Sequence, residues 1–200
     1  MTIERGRPWG HPGRWEEGTP FAGDDAALAA LVEVGSTATP IGLLGGDLHR
    51  TLGSPPPERL RSDEAMVFPM DALEVRLDEE PPLMAVAHVV ARAGAWWRRQ
   101  TVAAMNAAFV GDLNLGPRAH PDDGLVDVTV GRLPFRDAVA ARSRMLSGSH
   151  VPHPALATTR ARRWEIELTK TTPVFVDGVR RGDARRIAIE VLPDRFEVVC

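Results

Sequence analysis

Residues 162–199 read RRWEIELTKTTPVFVDGVRRGDARRIAIEVLPDRFEVV, and this stretch decides the fold. Four short segments, at 162–170, 172–179, 185–192 and 195–199, are strand-like, and apolar and polar residues alternate in 162–170. That two-residue period is typical of strands that bury one face. The pair Asp177–Gly178 lies inside VFVDGVRRG at 174–182, and Asp-Gly is a strong signal for a tight hairpin. The stretch therefore predicts four short strands joined by turns.

The sequence before this stretch predicts further strands and one helix. Residues 65–94 indicate strands broken by an acidic, proline-containing turn, and 101–110 is apolar enough for a strand buried on both faces. Residues 125–133 alternate and predict another strand. Residues 135–146 have helical spacing, with Val139 and Met145 as the expected inward positions. The last two-thirds of the chain is thus expected to form an antiparallel sandwich with one helix inserted.

The N-terminal part has a different character. Residues 1–23 are rich in Gly, Pro and Trp and indicate an irregular arm, which Trp9 and Trp15 are expected to hold against the body. Residues 24–34 predict a short helix, because two acids open it and a glycine follows it. Residues 39–48 predict a buried strand that runs into a glycine turn, followed by a short helix. The expected class is α+β, with an arm and reduced α/β unit at 1–60 and a β-sandwich at 61–200.

Composition excludes several classes of protein. The chain has 200 residues with a single cysteine, Cys200, so a disulfide framework and a cysteine-built metal site are excluded. No apolar run approaches the roughly 20 residues of a membrane span, and no stretch of signal-peptide type opens the chain, so a cytoplasmic location is expected. The few aromatic residues do not alternate with basic ones, which argues against a nucleic-acid partner.

Charge divides the chain into an acidic and a basic part. Residues 1–91 carry a net charge of −8 and residues 92–200 a net charge of +5. The basic part is either a solvated face or a surface for an anionic group. Trp96 and Trp97 stand beside two arginines, and two interpretations stay open for them: they fill the sandwich core, or they dock at a lipid headgroup layer.

Three short motifs are candidates for chemistry. Gly45-Gly46-Asp47 follows a buried strand and is either an ordinary turn or a close approach of backbone N–H groups to a phosphate. Residues 120–127, HPDDGLVD, are either an Asx-type turn or a set of oxygen ligands for a hard cation such as Mg²⁺. Residues 148–154, GSHVPHP, contain two histidines, but the prolines beside them favour a rigid loop over a metal pair.

Taken together, these segments resemble the C-terminal part of the lipid kinases related to diacylglycerol kinase and sphingosine kinase. Residues 105–128 resemble the family's segment that ends in a DDGLLDV turn, and 148–167 resemble its G-x-H-x-x-HP segment. Residues 172–182 resemble its VDGE hairpin, and 187–199 its terminal strand pair. The resemblance covers about 65–200 and continues weakly into 39–53, where the family's G-T-x-N-D loop is contracted to Gly45-Gly46-Asp47. It implies a lipid-kinase type of β-sandwich.

The resemblance also implies a set of site residues. It places a structural cation, expected to be Mg²⁺, on His120, Asp123 and the backbone carbonyl of Leu125. It implies a general base at the glutamate of VDGE, but this chain has Val179 there, and a valine accepts no proton. The family's GGDGT loop, which binds ATP, is also absent from the sequence, so ATP binding is not expected.

Two functions follow from these departures. The first is a catalytically degenerate, lipid-kinase-like protein that binds a lipid, an anionic headgroup or a partner protein, with peripheral membrane contact and a homodimer as open possibilities. The alternative is an active ATP-dependent lipid kinase with a rebuilt site. In that alternative Arg5, Arg7 and Arg14 supply a phosphate site beside Gly45-Gly46-Asp47, and Asp177 or Asp183 replaces the missing base.

Overall fold

The computed structural model describes residues 9–35, 39–94, 100–151 and 153–200, which form thirteen strands, three α-helices and one 3-10 helix. The strands are β1 (His11–Pro12), β2 (Phe21–Ala22), β3 (Ile41–Leu43), β4 (Met66–Leu77), β5 (Leu83–Ala85), β6 (His88–Ala91), β7 (Thr101–Met105), β8 (Phe109–Val110), β9 (Leu113–Asn114), β10 (Val126–Gly131), β11 (Leu156–Ala161), β12 (Arg163–Val176) and β13 (Val179–Val199). The helices are α1 (Asp25–Glu33), α2 (Gly46–Thr51) and α3 (Phe135–Met145), and the 3-10 helix is Pro57–Arg61.

The four short segments expected at 162–199 form two long strands, β12 and β13, so the prediction of four separate strands was wrong. The pairing of β12 with β13 shifts register between Glu167 and Thr172, and the pairing of β13 with β4 shifts between Leu192 and Phe196. Such irregularities bend a strand without ending it. The polar residues that suggested turns therefore lie at bends, and the Asp177–Gly178 hairpin joins the two strands as predicted.

Eleven of the strands form one mainly antiparallel sheet that folds over its own core, and β8 and β9 form a separate two-stranded sheet. The main order is β1-β4-β13-β12-β6-β7-β10-β11. Apolar side chains of β4, β12 and β13 pack against those of β6, β7 and β10 in a single buried cluster. Every residue of β7 is buried, as its apolar sequence predicted. This arrangement confirms the β-sandwich.

The N-terminal unit packs on the other side of strands β4 and β13. Strand β3 pairs in parallel with β2 and with the end of β13, where Ile41 lies opposite Val198. Leu28 and Leu48 of α1 and α2 are fully buried in a second cluster with Met70 of β4 and Phe196 of β13. These parallel pairings and helices are the small α/β unit that the sequence predicted, and the α+β class is confirmed.

Two local predictions about packing have different outcomes. Trp9 of the arm packs on Phe68, with ring centroids 4.8 Å apart, so this part of the arm lies against the body as expected. Helix α3 buries Met145 but leaves Val139 57% exposed, so the prediction that Val139 points inward was wrong. The helix instead turns Ala138 and Ala141 toward the sheet, since small side chains let it approach closely.

Some of the sequence predictions fall on residues outside the described ranges. These are Arg5, Arg7, Trp96 and Trp97, so the two interpretations of the tryptophan pair both stay open. Among the described residues, no helix is long and apolar enough to cross a membrane.

Truncation of Ile187 is expected to lower the stability of the protein strongly. This side chain is fully buried in β13, at the centre of the sandwich cluster. We expect Ile187→Ala to lower the free energy of unfolding by about 2–5 kcal/mol, because it removes buried methyl groups and leaves a cavity. Denaturant titration measures the change. Val139→Ala, at an exposed position, is the control and is expected to change stability little; equal effects of the two variants would contradict this description of the core.

Candidate functional site

The β12–β13 hairpin turn points its aspartate into the protein. Asp177 and Gly178 have φ values of +48° and +77°, the left-handed region that tight hairpin turns of type I′ require. The Asp177 carboxylate is 7% exposed and accepts three backbone N–H groups, from Val86 at 2.9 Å, Ala87 at 2.9 Å and His88 at 3.0 Å. The residue expected as a replacement base is thus a buried anchor for the chain that enters β6.

Gly45-Gly46-Asp47 forms the start of α2. Gly46 has a φ of +93°, and a Cβ atom there would lie 2.5 Å from a carboxylate oxygen of Asp25. Asp25 accepts the N–H groups of Asp47 at 2.6 Å and Leu48 at 3.0 Å. The glycine therefore lets the first turn of α2 approach the carboxylate of α1, and Asp25 satisfies N–H groups that a helix leaves free at its N-terminus.

His88 connects the hairpin turn with α2. Its Nε2 lies 2.8 Å from Oδ2 of Asp47, and its ring is 1% exposed. Its backbone N–H is one of the three that donate to Asp177. The other oxygen of Asp47 accepts the N–H of Gly111 at 2.8 Å. The structure thus brings together Asp47 and Asp177, two predicted site residues that are 130 positions apart in the sequence, around a histidine.

The charges of this cluster, which we call the Asp–His cluster (Asp25, Asp47, His88 and Asp177), compensate one another. Burial lowers the pKa of His88, but the hydrogen bond to Asp47 and the charges of Asp177, Asp47 and Asp25 outweigh it and raise the pKa above its ordinary value. Burial raises the pKa of Asp25, and it raises the pKa of Asp177 to about 6. When it is protonated, His88 is placed to act as the counter-ion of the buried carboxylates.

The Asp–His cluster also has the ligand types of a metal site. One ligand atom each from Asp25, Asp47 and His88 lies within 4.8 Å of the others. Protein groups already engage those atoms, however: Asp25 accepts two N–H groups, and Asp47 is bonded to His88 and Gly111. The hydrogen bonds account for the geometry without a cation, so we describe the cluster as a polar connection between elements.

The predicted magnesium loop is built around a salt bridge. Arg160 of β11 lies opposite Asp127 of β10 in the strand register, and its guanidinium contacts both Asp127 and Asp123. The other oxygen of Asp123 accepts the N–H of Leu125 at 3.0 Å, which is an Asx-type turn, and Nδ1 of His120 accepts the N–H of Asp122. Burial lowers the pKa of His120. A cation would have to displace Arg160 from Asp123, so the Mg²⁺ site stays a prediction and no step is derived through it.

Asp71 of β4 and Asp122 of this loop are two further buried acids. Asp71 accepts the N–H groups of Gly124 at 2.7 Å and Asp194 at 3.0 Å, and so ties β4 to the loop and to the bend of β13. Burial raises the pKa of Asp71 to about 6. Burial and the charge of Asp71 also raise the pKa of Asp122 to about 6.

Sequence reasoning missed three residues that build the site. Asp25 was expected to serve the start of its own helix, but Asp24 takes that role by accepting the N–H of Ala27, and Asp25 serves α2. His88 and Asn106 were not singled out. A lone histidine or amide within an apolar run was the available signal, since a buried polar side chain requires a partner. Asn106 donates to the carbonyl oxygens of Asp71 and Val86 and so joins the two acidic regions.

The fold and the site define an α+β protein in which a β-sandwich is joined to a small helical unit through buried acids. The family model described as the YegS C-terminal NAD kinase beta sandwich-like domain matches residues 65–200. The chain therefore belongs to that family, as the resemblance indicated. No protein of curated function matches the chain significantly.

Solved structures of diacylglycerol kinase type share the fold. A candidate diacylglycerol kinase of Bacillus anthracis strain Sterne superposes with a TM-score of 0.67 at 16% sequence identity, over 89% of this chain and 76% of the other. A diacylglycerol kinase structure of the same strain gives a TM-score of 0.60 at 16% identity, over 89% and 74% of the two chains. At this level of identity the similarity shows a common fold.

Removal of the Asp25 carboxylate, which caps α2, is expected to lower the stability of the protein. We expect Asp25→Ala to lower the free energy of unfolding by about 1–3 kcal/mol, because two N–H groups lose their acceptor in a buried place. Asp112→Ala is the matched control: this aspartate is exposed and pairs with Arg50, so about 0–1 kcal/mol is expected. Thermal or denaturant unfolding measures both. If both variants lose the same stability, Asp25 is not the cap that we describe.

The raised pKa of Asp177 predicts a dependence of stability on pH. In the folded protein burial raises the pKa of the Asp177 carboxyl to about 6, whereas an aspartate in the unfolded chain has a pKa near 3.8. The stabilisation of the folded state by protonated Asp177 is therefore complete below pH 3.8 and is lost as the pH rises through 6. Asp71, Asp122 and His88 have raised pKa values too and change stability in the same direction.

We expect the free energy of unfolding to fall as the pH is raised from about 4 to about 7, with a shallower slope in Asp177→Asn. Denaturant titrations at a series of pH values measure both slopes. Asp183→Asn, in an exposed ion pair with Arg180, is the control. An unchanged slope in Asp177→Asn would show that this carboxyl does not bind the proton.

Proposed function

We propose that this chain is a catalytically degenerate member of its lipid-kinase-like family, which binds a lipid without phosphorylating it. The hairpin turn carries the proposal. The position that the resemblance assigns to the general base is Val179, which is 41% exposed beside the turn. A base must accept a proton from the attacking hydroxyl, and a valine has no group that does so.

The neighbouring acid is poorly suited to replace that base. Both oxygens of Asp177 face backbone N–H groups, and the side chain is 7% exposed. A base has to come within about 3 Å of the proton that it takes. The carboxylate of Asp177 could reach a substrate only if the turn opened and three hydrogen bonds broke.

The binding part of the proposal is supported by a small cavity at the C-terminal end of α3, where Met145 lines it. It has a volume of about 30 Å³ and lies between the sheet and the helix. Most of its lining is apolar, with two threonines and one histidine; the residues are Thr101, Ala103, Leu115, Thr129, Gly131, Leu133, Met145, His150 and Leu156. Nδ1 of His150 is buried without a hydrogen-bond partner among the described residues, and burial lowers the pKa of this ring. Apolar walls with a few polar groups are typical of ligand sites.

With α3 in the position described here, the cavity is too small for an acyl chain. Helix α3 is held by few buried side chains, chiefly Ala138, Ala141 and Met145. Two of these are alanines, which bury little apolar area, so moving the helix costs less than moving a strand of the main core. Lipid binding in this proposal therefore includes an outward movement of α3, and the neutral His150 offers a hydrogen bond to a hydroxyl or ester group.

One observation favours the alternative of an active kinase. The Asp47 side chain is 18% exposed, and His88 lies behind it at 2.8 Å. A partly exposed carboxylate that is oriented by a buried histidine is the type of group that serves as a general base, and its other oxygen accepts a single N–H group, from Gly111. Asp47→Asn separates the two functions, since it would abolish turnover in an active kinase and has no activity to abolish in a binding protein.

We test the proposal with dioctanoylglycerol, a diacylglycerol that is soluble as a monomer, and with Mg²⁺ and ATP. The purified chain is expected to bind the lipid in calorimetric titration and to form no phosphorylated lipid. Ala103→Val fills part of the cavity and is expected to weaken binding by about tenfold. Ala157→Val, the same substitution at an exposed position of strand β11, is the control and is expected to bind as the wild type does.

The outcomes separate the two parts of the proposal. Phosphorylated lipid that disappears in Asp47→Asn would overturn degeneracy and establish the kinase. Absence of binding by a folded protein, or equal binding by Ala103→Val, would overturn the lipid site under α3.

A further inference from the structure

The outer face of α3 carries a stripe of exposed apolar side chains. Phe135, Val139 and Leu146 are 60%, 57% and 61% exposed. Spacings of four and seven residues place them on one face of the helix, and the face that packs on the sheet is formed by other residues. Half of the exposed large hydrophobic side chains of the described residues thus lie along one helix.

The stripe continues across a groove onto the β8–β9 hairpin. Val110 and Leu113 of this hairpin are partly buried and line the groove together with Val139 and Leu146. We call this surface, formed by Phe135, Val139 and Leu146 with Val110 and Leu113, the α3 outer face. An apolar surface that joins two separate elements is larger than the isolated exposed residues that are normal in soluble proteins.

The charge around the α3 outer face is positive. Arg136, Arg142 and Arg144 are exposed on the same helix. The acids nearby have partners: Asp137 lies 3.7 Å from His153, and Asp112 of the hairpin lies 2.7 Å from Arg50. Arginines beside exposed apolar side chains match a layer that is anionic at its surface and apolar below.

We propose that the α3 outer face docks on an anionic lipid bilayer. The apolar side chains enter the interfacial layer, and the arginines contact lipid phosphates, which accept hydrogen bonds from guanidinium groups. The charge favours a bilayer over a protein partner, because three exposed arginines lie on the same helix as the exposed apolar side chains. The centre of a protein interface is usually depleted of charge.

This inference rests on the proposed lipid function and adds its location and mechanism of access. Met145 of α3 lines the cavity, and the exposed side chains of the same helix meet the bilayer. Docking therefore places the cavity near the membrane surface. A lipid could then enter without crossing water.

We test docking by sedimentation with vesicles. One set contains phosphatidylcholine alone, and the other contains equal parts of phosphatidylcholine and phosphatidylglycerol. The wild type is expected to bind the anionic vesicles and to dissociate when salt is added. The double variant Val139→Ser with Leu146→Ser is expected to bind at least about tenfold more weakly, and Arg142→Gln a few-fold more weakly.

Val34→Ser is the matched control, because Val34 is 80% exposed at the end of α1 and outside this surface. All substituted positions are exposed, so circular dichroism is expected to be unchanged. Undiminished vesicle binding by the double variant would overturn the inference, as would equal binding to neutral vesicles. Self-association that the double variant abolishes would also overturn it, since the face would then serve a second copy.

The two proposals fail in different measurements. Dioctanoylglycerol binding is measured without a bilayer, and vesicle binding is measured without a ligand in the cavity. Lipid monomer binding with no vesicle binding overturns only the docking surface. Vesicle binding with no monomer binding overturns the cavity and leaves the α3 outer face as a membrane contact.

Discussion

The hydrogen bond between His88 and Asp47 joins the two parts of this molecule. Asp47 belongs to α2 of the helical unit, and His88 opens β6 of the sandwich. Each end of the bond is fixed by a second buried carboxylate: Asp25 holds the first turn of α2, and Asp177 holds the backbone of His88. Buried charges are costly unless they are paired and hydrogen-bonded. The relative position of α2, β6 and the hairpin turn is therefore set by a network in which no member is easily replaced.

The same network distinguishes structural carboxylates from exposed ones. A carboxylate that accepts several backbone N–H groups is a structural group, and one that faces solvent is available for reaction. Here Asp177 is of the first kind, and the residue that projects beside it is Val179. The family's sandwich is present, and the position that the resemblance assigns to a general base is Val179; the proposed binding function rests on this combination.

The sequence predicted the regular elements well because their signals are local. The alternation in β12 and β13, the Asp-Gly turn and the spacing of α3 are all readable within a dozen residues. Strand bends were not predictable, since a register shift depends on the partner strand. The exposure of Val139 on α3 was missed for a related reason. Small and large apolar residues both occur around this helix, and the surface on which it packs decides which of them are buried. His88 and Asp25 were missed because their partners are 41 and 22 residues away.

Strand β13 has a consequence for how the chain folds. It pairs with β12, β4 and β3, and two of these partners precede it by more than a hundred residues. Only the β12 hairpin is local. Loops of this length must close before their contacts stabilise anything, and proteins dominated by such contacts fold slowly. Until β13 is in place, β3 and β4 lack a common neighbour, so the nascent chain exposes unpaired strand edges during synthesis and is open to aggregation at that stage.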